Sequence, residues 1–207
     1  MRIRLSAIVV GVAVAGCVPA AGMSASSGRA RPCAPDRART LIANDRAAVY
    51  ALGAGVYGCT ASQRRYRLGA SDGTLREGRA GPLALAGVDV AYGLSSFGVD
   101  TGTAQVLVRR LTDGVVLRRA SATTHFAGAE SYQSVAAPVV KADGAVAWIG
   151  LGRSIIGGRP VVEVHRYDRR GQALLDSGSA VATGSLRLQG SRLTWTKRGQ
   201  HRSATLS

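Results

Sequence analysis

The chain has 207 residues, a 46% apolar fraction and a formal net charge of +15, which excludes a disordered polyelectrolyte and gives enough length for one domain that buries roughly 70% of its unfolded surface. Only Lys141 and Lys197 are lysines, so arginine carries the excess charge, and its planar fork suits phosphate and carboxylate. Ala, Gly and Val stand where bulky side chains would fill a helical core, which favours many short strands.

The N-terminus reads MRIRLSAIVVGVAVAGCVPAAGMSA, with Arg2 and Arg4 ahead of an apolar run from Leu5 to Ala15 and then small residues. That order predicts a secretory signal over residues 1–25, and its apolar run is shorter than the ~18–20 residues that cross a bilayer. Within it, Val14-Ala15-Gly16-Cys17 resembles the bacterial lipoprotein signal. The resemblance implies acylation of Cys17 and contact with a membrane only through that anchor. Cleavage after Ala20 or Ala25, with Cys17 discarded, fits the same small-residue rule. Residues 26–39 are read as a tether and N-terminal arm, with Pro32 and Pro35 opposing any long helix. Export leaves Cys33 and Cys59 where oxidation is permitted, and neither lies in a CxxC or beside a histidine. A disulfide between them is therefore expected.

From residue 40 to 207 the expected element is the strand, in four units. The first offers TLIAND, AAVYALG, QRRYRLG and TLREG, with GAGVYGCTAS as a loop; the second offers PLALAG, VDVAYGL, AQVLVRRL and VVLRRA. A stretch SATTHFAGAESYQSVAA follows as an inserted surface loop. The third unit offers APVVKADG, AVAWIGL, PVVEVHRYD and QALLDSG, and the fourth only SLRLQG, SRLTWTK and HRSATL. Each second strand carries an aromatic anchor, Tyr50, Tyr92, Trp148 and Trp195, spaced 42, 56 and 47 residues apart, within the range of a repeated sheet unit. Asp72-Gly73, Asp113-Gly114 and Asp143-Gly144 supply turns at matching places, because Asp and Gly tolerate the positive φ of tight hairpins. The fourth unit lacks an outer strand, which the arm before Thr40 is expected to supply. The predicted fold is all-β: about four tandem four-stranded antiparallel meanders, β-propeller-like, as a closed four-bladed ring or an open arc.

The segments Ala142-Asp143-Gly144-Ala145-Val146-Ala147-Trp148 and Thr112-Asp113-Gly114-Val115-Val116-Leu117 are similar to blade repeats of bacterial β-propellers of the quinoprotein-like superfamily. The similarity runs through residues 40–207 as a repeat pattern and implies blade architecture. The quinone-site residues of that class have no match here, and neither has the tryptophan that ends each of its repeats, so no cofactor is expected.

Catalytic clusters are not apparent in the sequence. His125, His165 and His201 are scattered, so no metal site is predicted. His165 and Asp168 would make an acid–base pair, but residues three apart on a strand face opposite sides, and His165 is expected at a solvated position. Gly152-Arg153-Ser154-Ile155-Ile156-Gly157 misses the GxSxG elbow. The candidate ligand contacts are Arg109, Arg118 and Arg169 from the arginine pairs, Tyr167 beside them, and His125 and Tyr132 from the insertion. These residues point to a monomeric, non-catalytic binding or scaffold module of the cell envelope or extracellular space. Its partner would be an anionic envelope polymer or another macromolecule; no specific nucleic-acid motif is present. The competing expectation is a secreted polysaccharide hydrolase or lyase with carboxylates in a central pocket.

Overall fold

The computed structural model describes residues 33–62, 64–72, 78–98, 101–125, 131–157 and 159–207. The predicted signal with Cys17, half of the arm (26–32), Gly73 of the Asp72-Gly73 turn and all of TLREG but its Gly78 lie outside them. The described residues form fifteen strands and no helix: β1 (Arg39–Ala43), β2 (Ala47–Leu52), β3 (Gly55–Thr60), β4 (Arg65–Ala70), β5 (Arg79–Ala86), β6 (Asp89–Phe97), β7 (Gly102–Arg110), β8 (Val116–Ser121), β9 (Ser131–Val140), β10 (Val146–Ser154), β11 (Val161–Asp168), β12 (Gly171–Ser177), β13 (Arg187–Gln189), β14 (Arg192–Lys197) and β15 (Gln200–Thr205).

Consecutive strands pair antiparallel within β1–β4, β5–β8 and β9–β12. Single parallel contacts, Ala70 with Arg79 and Gly102 with Tyr132, join these runs into one mixed sheet of twelve strands. β13–β15 form a separate three-stranded sheet. The large sheet ends at β1 and β12 and does not close on itself, so of the two expected arrangements, a closed ring or an open arc, the closed ring is not formed. Among its described residues, 33–39, the arm does not pair with β15. Its Cys33, Ala34 and Ala38 pack instead against Ala48, Tyr50 and Cys59 of the first run, and Cys33 and Cys59 form the expected disulfide, with Cα atoms 5.9 Å apart.

The apolar pattern explains the layering. Side chains alternate faces along a strand, so a strand between two apolar layers must be apolar at nearly every position. On β2, Ala47 and Val49 face the second run while Ala48 and Tyr50 face the arm. On β6, Val90 and Tyr92 turn towards the first run and Ala91 towards the third. On β10, Val146 and Trp148 face the second run and Ala147 and Ile149 the three-stranded sheet. The four anchors occupy the predicted second strands and are all buried, each in a different layer.

Three expectations need correction. GVYGCT is strand β3 rather than loop, and RYRLGA follows as the fourth strand of its run. Gly58 conceals this strand from a hydrophobic count because its missing side chain makes room for Leu111, whose Cδ2 would lie 2.5 Å from an added Cβ. Part of the predicted insertion is strand: β8 runs to Ser121 and β9 begins at Ser131, so Tyr132 is a strand residue, while residues 126–130 lie outside the described residues. A register shift beside Ala137, which has φ of 44°, lets this ten-residue strand bend.

Candidate functional site

Antiparallel order places two turns side by side. Val146, the first residue of β10, pairs with Val140 at the end of β9 and with Tyr167 near the end of β11. The turn after β9 and the turn after β11 therefore share one rim. The first carries Lys141 and Asp143, the second Arg169 and Arg170. Arg118 reaches the same place from β8, and Ser191, Thr205 and Ser207 line it from the three-stranded sheet, around a cleft of about 540 Å³.

The cleft is basic by construction. Four cationic side chains line it against one acidic side chain, Asp143, which lies 3.5 Å from Lys141 and caps its own turn through Ala145 N–H at 3.0 Å. Lys141 Nζ also donates to Ser191 Oγ at 3.3 Å and to the Leu206 carbonyl at 3.4 Å, which fixes it across the junction between sheets. Arg118 is held by its own strand, donating from Nη1 to the Leu117 carbonyl at 3.0 Å, and its guanidinium lies over the Tyr167 ring at 5.1 Å. Among the described residues, the side chains of Arg118, Arg169 and Arg170 have no ion-pair partner.

Beneath the rim Asp168 is a fixed structural anion. Its carboxylate accepts from Arg166 Nη1 at 2.7 Å, from the Arg170 amide at 2.9 Å and from the Ser207 amide at 2.9 Å. Burial alone would raise its pKa, but these donors outweigh it and hold the carboxyl below the ordinary aspartate range. Asp168 and His165 hold to separate partners, in keeping with the opposite faces of residues three apart on a strand.

His165 is not solvated. It is fully buried and stacked on Trp148, with ring centroids 5.0 Å apart. Its Nε2 lies 2.7 Å from Glu163 Oε2. Glu163, also fully buried, accepts the Thr124 amide at 2.8 Å and bonds to His125 Nδ1. Glu163 and His165 are two apart on β11 and so share a face, a spacing legible in VVEVHRYD. His125 thus belongs to this clamp, which ties the chain leaving β8 to β11.

The six predicted contacts therefore divide. Arg118, Arg169 and Tyr167 meet at the basic rim, while His125 joins Glu163. Arg109 lies beside the Tyr92 phenol, whose pKa burial raises and Arg109 partly restores. Tyr132 lies at the opposite rim, with Arg153 5.7 Å from its ring. Lys141 and Arg170 complete the cleft; the turn motif Lys-Ala-Asp-Gly and the pair Arg169-Arg170 were the signals for them.

No protein-family model matches the chain, and no curated protein matches it.

The cleft can hold a multivalent anion through several forked donors. Among the described residues its lining carries one acidic side chain, whereas paired-acid hydrolysis uses two facing acidic side chains. Among the described residues, no group of three or more His, Cys, Asp or Glu side chains is placed to hold a metal ion.

Proposed function

We propose that the protein is an exported, non-enzymatic binding module of the cell envelope or extracellular space, on a β-propeller-like open arc of sheets, and that its basic cleft takes anionic groups of an envelope polymer. The convergence of Arg118, Lys141, Arg169 and Arg170 on one cleft, against one acidic side chain, Asp143, carries this reading. The signal-like N-terminus and the Cys33–Cys59 disulfide support an oxidising compartment outside the cytoplasm. Stacked, repeated sheets with the cleft at a rim support the propeller-like description.

Titration of the full chain with long-chain polyphosphate and with neutral dextran tests the proposal. Binding of polyphosphate that weakens as salt rises is expected, with no binding of dextran. Arg169 and Arg170 are exposed turn residues, so Arg169→Glu with Arg170→Glu should leave the fold intact and lower polyphosphate affinity at least tenfold. Equal binding of dextran, or unchanged affinity in the double variant, overturns the reading.

A further inference from the structure

The rim opposite the basic cleft has another chemistry. Strand pairings trace it across the sheet: Gly55 beside Ala70, Ala70 beside Arg79, Arg79 beside Ser95, then Phe97 beside Gly102, Gly102 beside Tyr132 and Tyr132 beside Arg153. The turns after β2, β6 and β10 all open on this rim. There stand Leu52, Phe97, Ile155 and Ile156, exposed by 37, 39, 43 and 80%. A single exposed apolar residue needs no explanation, but four on successive turns of one rim do.

The rim also brings its own cations. Arg39, Arg79, Arg153 and Arg159 are exposed, and none is ion-paired to a described residue. Asp72, an exposed carboxylate, follows β4 on the same rim. Gly102 holds the aromatic part together: an added Cβ would lie 2.6 Å from the Tyr132 ring and 3.1 Å from the Phe97 ring. Aliphatic side chains at a loop tip, rings beside them and arginines around them match the layers of a bilayer interface, where apolar groups enter the acyl boundary and guanidinium groups meet anionic headgroups.

We infer that this rim docks on an anionic lipid bilayer, with the loop of Ile155 and Ile156 inserted and the four arginines at headgroup level. The contact is independent of the polymer cleft, which lies at the other end of the strands. It is also independent of acylation at Cys17.

The test uses the full chain with Cys17→Ser and an environment-sensitive NBD label at Ile156→Cys. Vesicles of phosphatidylcholine and phosphatidylglycerol at 3:1 should shift the label's emission to the blue, and phosphatidylcholine alone should do so far less. Free glycerol phosphate should not compete, which separates a bilayer from a soluble phosphate. In the unlabelled chain, Ile155→Asp with Ile156→Asp should lower sedimentation with the mixed vesicles at least tenfold while polyphosphate binding is retained. A label blind to vesicles, or a double variant that sediments like the parent, overturns the inference. So does a double variant that changes only self-association, since the rim would then join copies of the chain.

Discussion

A methyl group on Gly150 would lie 1.8 Å from the carbonyl oxygen of Ala122, an approach that only glycine permits. The same carbonyl accepts the indole N–H of Trp148 at 2.9 Å, so one backbone oxygen fixes both the anchor residue and the chain leaving β8. Gly150→Ala must push that backbone away, and a loss of about 3 kcal/mol in urea unfolding is expected; a loss below about 1 kcal/mol would contradict this packing. Next to it, the clamp of Glu163 and His165 predicts a pH dependence. Burial lowers the His165 pKa from its ordinary 6.5, more than the adjacent Glu163 raises it. For Glu163, burial acts upward, but the Thr124 amide, His125 and His165 outweigh it and the net shift is downward. Both groups bind protons more readily in the unfolded chain, so both contribute stability that is present at high pH and lost on acidification. For His165 the loss begins as pH falls below 6.5, and for Glu163 below about 4.5. Unfolding midpoints should hold from pH 8 to about 6.5 and decline from there to pH 4, and His165→Gln should flatten the part of the decline that lies above about pH 4.5. At pH 8, Glu163→Gln leaves buried donors poorly matched and should cost about 2 kcal/mol.

At the scale of elements, the first run is distinctive because its outer face is covered by the arm rather than by another sheet. Only small and aromatic side chains fill that layer, so the disulfide carries much of the attachment. It closes a separation of 26 residues, for which loss of denatured-state freedom corresponds to about 3 kcal/mol. Paired replacement of Cys33 and Cys59 by serine should lower unfolding stability by that order and expose Tyr50 and Tyr57 to solvent, seen as altered tyrosine fluorescence. The second run and β10–β12 of the third are legible in the sequence because their strands alternate cleanly or are apolar throughout. The first run was misread where Gly55 and Gly58 replace the expected side chains, since glycine contributes nothing to periodicity even when its strand is buried. β9 was read partly as loop for a related reason: Ser131, Gln133 and Ser134 interrupt its apolar pattern, although Ser131 and Gln133 are themselves buried.

Over the whole molecule, the strands separate two rims of different character, one polar and basic, the other apolar with arginines around it. Arg118 and Arg169 were singled out by charge alone, but they are 51 residues apart and meet only because β10 places the ends of β9 and β11 together. Replacing residues at one rim should therefore leave the other's ligand binding unchanged. The sequence by itself determined the all-β class, the anchors on the second strands, the turns at Asp113-Gly114 and Asp143-Gly144 and the disulfide pair, because alternation, turn chemistry and cysteine number are local or countable. Only the tertiary structure decided that the sheet stays open, that Glu163 and His165 lie inside, and which arginines converge. Those outcomes depend on register and on how sheets stack, and a one-residue change in register reverses the face of every side chain on a strand.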